Sequence, residues 1–243
     1  MERNQSLDLS RGCCLTWPVP EAVSRVARTE RAAGTRDAIL TAAERLFAEH
    51  GVVAISNRQV SEAAGQGNNA AVGYHFGTKA DLIRAIVRKH NEQVERLCQR
   101  LVDVAGDSDD VRVWVECLVL PFAQHLTALG SPTWYARFSA QLMPDPAHRD
   151  ISSEESLASS SVLRIVEGLN RSLPGMPPEV HVERNAMARQ LIVHMFAERE
   201  RALAAGEPTT HGDWDAMAAS LIDAITGLMR APVTASRKGA RRR

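Results

Sequence analysis

The sequence predicts an all-α protein: an N-terminal three-helix domain containing a helix-turn-helix, followed by a larger helical C-terminal domain. Three features predict it. Apolar residues recur at intervals of three and four over successive segments, the period of one helix face. Serine or threonine followed three residues later by glutamine or aspartate marks helix starts, and glycines mark helix ends. Aromatic residues make up only 5% of the 243 residues, while alanine, leucine and arginine dominate, a balance that favours helices.

Residues 1–34 are polar, include Pro18 and Pro20 and show no sustained period, so a flexible N-terminal arm is expected. From Thr35, TRDAILTAAERLFAEHG sets Ile39, Ala43, Leu46 and Phe47 on one stripe, with Thr35 as the expected cap and Gly51 as the left-handed end. SNRQVSEAAG opens with Ser56 and has Gln59 three residues on, a capping box; Val60, Ala63 and Ala64 form its inner face and Gly65 ends it. Asn68 or Asn69 is the expected cap of a third helix, NAAVGYHF, which Gly77 closes. Thr78 and Asp81 open the fourth helix as a second capping box, and Ile83, Val87, His90, Val94, Leu97 and Leu101 form a seam along it. Residues 35–76 therefore have the size and punctuation of a helix-turn-helix, with a core that is marginal alone and is completed by the fourth helix.

Further helices are expected over 110–128, kinked at Pro121, and over 133–142, 157–173, 179–205 and 213–230. Residues 144–156 read as a loop, and 231–243 as a disordered tail ending in the basic run RKGARRR. The domains are thus 35–80 and 81–230.

Charge is unevenly spread although the formal net charge is zero. Residues 35–100 carry 9 Lys/Arg against 7 Asp/Glu; residues 101–236 carry 10 against 18. The two halves have different electrostatic work. Cys13, Cys14, Cys98 and Cys117 form no C-x-x-C pair, and the eight histidines show no metal-ligand spacing, so no metal site is expected. No nucleophile elbow or phosphate-binding glycine loop occurs, so neither catalytic residues nor a cofactor are expected and the chain does not read as an enzyme. No apolar run approaches the ~18 residues of a membrane helix; a cytoplasmic protein is expected.

Three segments carry a resemblance: AAERLFAEHG at the end of the first helix, R-x-V-x-E-A-A-G in the second, and GYHFGTKADL after the third. Residues 35–82 resemble the DNA-binding domain of the tetracycline-repressor-like (TetR) family of transcriptional regulators. Between Gly65 and His75 this chain has one residue more than the commonest family spacing, placed most simply in the 66–68 turn. The resemblance implies a regulator that binds a double-stranded DNA operator, a C-terminal domain that takes an unknown small-molecule effector, and a homodimer formed through the last two helices. It implies that the third helix enters the major groove. Asn68, Asn69, Ala70, Ala71 and Gly73 would then face base edges, and Tyr74 and His75 would meet the sugar-phosphate backbone. Ser56, Asn57, Arg58, Thr78, Lys79 and Arg36 are the further expected DNA contacts, with the start of the fourth helix as a phosphate site. Phe76 is expected to turn inward.

In the second domain, Trp114, Phe122, His125, Trp134, Tyr135, Phe138, Met143, His194 and Phe196 are the expected wall of an apolar effector pocket. Met187, Leu191 and Met195, with Met217, Leu221, Ile225 and Leu228, are the expected dimer interface, a four-helix contact across a two-fold axis. A regulator packed solid, without an effector pocket, and an activator in place of a repressor fit the same sequence.

Overall fold

The computed structural model describes residues 21–68, 70–144, 148, 150–151, 154–155 and 159–234, and all regular structure among them is helical. The first twenty residues, Asn69 and the basic tail, for which an arm, a cap or base contact and a disordered end were expected, lie outside the described residues.

Helix α1 (Glu21–His50) starts fourteen residues before Thr35. Thr35 therefore caps nothing, and residues 21–34 are helical where an arm was expected. The segment EAVSRVARTERAAG is mostly Ala, Arg and Glu, strong helix formers, and a single Gly34 costs only about 1 kcal/mol. The second half of α1 buries Ile39, Leu40, Ala43 and Phe47. At its end Gly51 adopts φ 84, as the sequence predicts.

Helix α2 (Asn57–Ala63) begins with the predicted capping box: Gln59 N–H donates to the Ser56 hydroxyl, and Ser56 N–H donates to the Gln59 side chain. Helix α3 (Ala71–Phe76) is different. Its N-cap is Ala70, with no side-chain bond; Asn68 Oδ1 instead accepts from Ala70 N–H at 2.9 Å, a turn that precedes the helix. Helix α4 (Lys79–Ala105) starts with the second predicted box, Thr78 and Asp81. Its seam buries Ile83, Val87 and His90, but Val94, Leu97 and Leu101 are only half-buried; the buried face moves to Cys98 and Val102. A strict alternation of four and three drifts about 20° per heptad against a 3.6-residue turn, which explains the rotation.

Helix α5 (Val111–Leu129) runs through Pro121 without ending there. Proline cannot donate to the carbonyl four residues earlier, which is that of Cys117. Cys98 Sγ lies 3.8 Å from that carbonyl and donates to it, so a thiol from α4 repairs the gap. Burial pushes the Cys98 thiol up to about 12 and the Cys117 thiol up to about 11.

Helix α6 (Tyr135–Leu142) packs between α1 and α8 (Pro178–Ala205). Its first N–H groups are satisfied from α8: the Glu200 carboxylate accepts from Arg137 N–H at 2.9 Å, Ala136 N–H at 3.3 Å and the Thr133 hydroxyl at 2.5 Å. Residues 148, 150–151 and 154–155 are helical where a loop was expected; Ile151, buried, anchors them. Helix α7 (Ser160–Ser172) lies on α4 and α5. Gly168 there faces Trp114 so closely that a Cβ would sit 2.2 Å from the indole. Helix α9 (Trp214–Arg230) turns Met217, Leu221 and Ile225 onto α5.

Candidate nucleic-acid interface

Val60, Val72, Leu82, Ile83 and Phe47 close one core under α1 to α4, which fixes two helices of only 7 and 6 residues that could not persist alone. That core decides what α3 presents. Ala71 and Val72 are buried, so Ala71 serves packing and not base contact. Ala70, Gly73 and Tyr74 face outward, and nothing lies within 4 Å of a Cβ built on Gly73. Tyr74 is 85% exposed, with its ring edge-on to His75 at 5.0 Å. A large aromatic held this far out of the core is poised for an external partner.

Around α3 the sequence-predicted contacts divide. Ser56 and Thr78 are exposed, with hydroxyls already in capping boxes. Arg58 pairs with Glu62 at 2.8 Å on the open surface of α2. An exposed pair of this kind contributes little, so it leaves Arg58 able to turn to a phosphate. Asn57 is half-buried, with its Oδ1 unpartnered among the described atoms. Arg36 stacks its guanidinium over the Phe76 ring, 4.3 Å from the centroid, and stays exposed. Phe76 is half-buried against the core, as expected.

Lys79 corrects the sequence reading. Its ammonium turns inward and donates to the carbonyls of Val52 and, at 2.5 Å, Ile55, over the face of Phe47. These carbonyls belong to the α1–α2 turn, where no helix or strand supplies donors. Lys79 therefore ties that turn to α4. The start of α4 is likewise occupied: the Asp81 carboxylate accepts from the Thr78 hydroxyl at 2.6 Å and Thr78 N–H at 3.1 Å, which holds it below the usual carboxylate range.

In the body the expected pocket wall is packed by its own rings. Phe138 stacks on Phe47, Phe122 lies 5.3 Å from Tyr135 and 5.2 Å from Phe196, and Trp114 fills the space over Gly168 with its N–H on the Ser108 carbonyl. His125 is buried on His90, Trp134 is half-buried, and His194 is exposed, away from the ring cluster. These aromatic residues pack against one another. A groove of about 360 Å³ lies between α4 and the start of α7, with Val94, Cys98 and Val162 apolar, Asn91 and Ser159 polar, and Arg88, Glu92, Glu95 and Glu155 charged. Burial alone would raise the Glu95 carboxyl, but hydrogen bonds from Ser159, Ser161 and Ser160 hold it below its ordinary value.

The expected interface residues also divide. Met187, Leu191 and Met195 form an exposed row on α8 at 50%, 37% and 44%. Met217, Leu221 and Ile225 face the core, and Leu228 is half-buried. The outer face of α9 carries Ala216, Ala219, Ser220, Ala224 and Gly227.

Contacts at two further carboxylates were not foreseen. Arg84 and Arg88 of α4 reach Glu155, at 4.0 and 2.8 Å. Glu44 of α1 meets His90. The signal for the second was an acid beside the apolar stripe of α1, opposite a histidine on that of α4. Among the described residues no group of three or more His, Cys, Asp or Glu is placed to hold a metal, and no helix is long and apolar enough to cross a membrane.

Two family models match. Residues 39–86 match the one described as bacterial regulatory proteins, tetR family, and residues 116–227 the one described as tetracyclin repressor-like, C-terminal domain. The HTH-type transcriptional repressor AcnR of Corynebacterium glutamicum is 38% identical over 173 residues, 71% of this chain and 81% of the relative. Crystal structures of NalD, the secondary repressor of the MexAB-OprM multidrug efflux pump in Pseudomonas aeruginosa, superpose with a TM-score of 0.52. The native form is 26% identical, with 80% of this chain and 96% of that one covered.

Proposed function

The chain belongs to the tetR family of bacterial regulatory proteins and is a DNA-binding transcriptional regulator, and from that premise we propose a ligand-responsive repressor that acts as a homodimer on a palindromic operator. It acts by binding, in the cytoplasm where its DNA is, without catalysis or cofactor. The observation that carries the reading is the outward Tyr74 on a six-residue helix, with Gly73 and the N-cap Ala70 exposed beside it. Small residues let the backbone approach base edges, and the phenol donates to a phosphate. Arg58, Arg36 and His75 supply the surrounding contacts; Lys79 serves the packing of α4 on the α1–α2 turn. AcnR and NalD are both repressors, which favours repression over activation.

The dimer is formed by the exposed row Met187, Leu191, Met195 of α8 against the small-residue face of α9. Small residues let two helices approach closely, and a two-fold pairing would set two α3 helices about 34–36 Å apart. The effector site is the α4–α7 groove, whose volume suits a small organic molecule. The filled ring cluster supports the rival reading of a regulator without an effector pocket. Selection of bound fragments from random double-stranded DNA, followed by sedimentation of free protein and complex, tests the reading. A shared palindrome bound by two chains supports it; no enrichment, or a single chain on an asymmetric site, overturns it.

A further inference from the structure

Three helices meet at a buried polar chain. Glu44 of α1, 7% exposed, accepts from His90 Nε2 of α4 at 3.0 Å, and His90 Nδ1 lies 2.8 Å from His125 Nε2 of α5. A carboxylate only accepts, so His90 donates through Nε2, and a single shared proton joins its Nδ1 to His125 Nε2. Tyr135 of α6 stacks on His90 at 3.9 Å and meets His125 edge-on at 5.4 Å. These contacts thus join α1, part of the DNA-binding head formed by α1 to α3, to α4, α5 and α6, the first three helices of the body.

A buried polar chain of this kind is a poor source of stability, since apolar residues of similar volume often do as well or better. What it supplies is discreteness. A shift on the order of 1 Å takes both hydrogen bonds out of range and leaves Glu44 buried without a partner. The head is therefore held at one setting and resists small displacements. The ring contacts continue from this point. Tyr135 stacks on Phe122 at 5.3 Å, Phe122 meets Phe196 of α8 at 5.2 Å, and Phe196 meets Trp214, the first residue of α9, at 5.9 Å. A contiguous column of rings runs from the head to the two helices that carry the exposed interface row.

We propose that Glu44, His90 and His125 form a latch that holds the head in one orientation on the body, with His90 as its positioning residue, and that the ring column ties this latch to α8 and α9. The inference rests on the regulator reading for what the latch serves, the spacing of two heads on DNA. The latch itself is a property of one chain and is tested within one chain.

Spin labels at introduced cysteines, Glu62→Cys on α2 and Ala204→Cys on α8, both exposed positions, report the head-to-body distance by pulsed dipolar spectroscopy. Cys13 and Cys14 are changed to serine, and labelled chains are diluted with unlabelled ones. The latch predicts one narrow distribution for the parent, a distribution at least about twice as wide for His90→Leu, and an operator affinity lowered about tenfold. His90→Gln, whose amide can donate to Glu44 and accept from His125, recovers the narrow distribution. A folded His90→Leu chain of parental width, or a His90→Gln chain as broad as His90→Leu, overturns the latch. Should His90→Leu fail to fold, the apolar triple Glu44→Leu, His90→Leu, His125→Leu is measured in its place. A triple that also fails to fold makes the chain a core-building element and overturns the latch as well. A failed DNA selection with a broadened His90→Leu removes the repressor reading and leaves the latch standing.

Discussion

Replacing His125 by glutamine should remove a defined part of the protein's sensitivity to acid. Burial, and to a smaller extent the neighbouring His90, push the His125 imidazole down from its ordinary 6.5 to about 4. Glu44, His90 and Tyr135 are the ionisable groups that face it from α1, α4 and α6. In the folded chain the ring is neutral until about pH 4, whereas the unfolded chain takes up a proton below about 6.5. Between those values the unfolded state binds more protons, so stability falls as pH falls. The contribution is complete above 6.5, declines between 6.5 and 4, and is gone below. A separation of about 2.5 units at 1.36 kcal/mol each amounts to roughly 3 kcal/mol, a large share of a typical domain's stability. The assay is urea unfolding of wild type and His125→Gln at matched chain concentration from pH 7.5 to 4. Carboxylates and histidines away from the Glu44–His90–His125 cluster titrate in both chains and cancel in the difference. The difference curve should decline by about 3 kcal/mol as pH falls from 6.5 to 4. A flat difference curve, or wild type gaining on the variant in acid, would refute the reasoning.

Three further outcomes are expected. Gly168→Ala places a methyl 2.2 Å from the Trp114 indole and should destabilise at the upper end of overpacking, about 3 kcal/mol, by thermal or urea unfolding; an unchanged midpoint would mean α7 does not pack as described. Lys79→Ala leaves the Val52 and Ile55 carbonyls without this donor and should cost about 1–3 kcal/mol while leaving the salt slope of DNA binding unchanged; a slope lowered by about 0.9 with stability intact would return Lys79 to the phosphate contacts. Leu191→Glu with Met195→Glu should yield folded monomers in sedimentation, because the charges fall on the exposed row of α8; a dimer unaffected by them would place the interface elsewhere.

What the sequence made legible was mostly local. The boxes at Ser56–Gln59 and Thr78–Asp81 start α2 and α4, and the glycines at 51, 65 and 77 follow the ends of α1, α2 and α3, because each such boundary is decided within four residues. The extra length of α1 was not legible from an apolar stripe, since residues 21–34 rely on propensity instead. The site was less legible where long side chains or tertiary choices decide. An ammonium at Lys79 reads as a surface cation until the turn of Val52 and Ile55 shows two carbonyls awaiting a donor. The stripe Met217, Leu221, Ile225 is equally apolar whether it meets α5 or a second subunit; only the packing order decides for α5. The aromatic residues of the body read as a pocket wall because composition cannot tell rings that enclose space from rings that fill it. Pro121 reads as a kink, and its tolerance depends on a thiol from another helix.

The most direct test of the central claim, that the outer face of α3 is the DNA-reading surface, is an anisotropy titration of wild type and Tyr74→Ala on a selected palindrome across a range of salt concentrations. Tyr74→Ala should bind about tenfold more weakly, with the log–log salt slope unchanged because a neutral phenol releases no counterion, and with an unchanged thermal midpoint because an 85% exposed ring contributes nothing to the core. Equal affinity for the two proteins would contradict this and move the DNA contact off this helix.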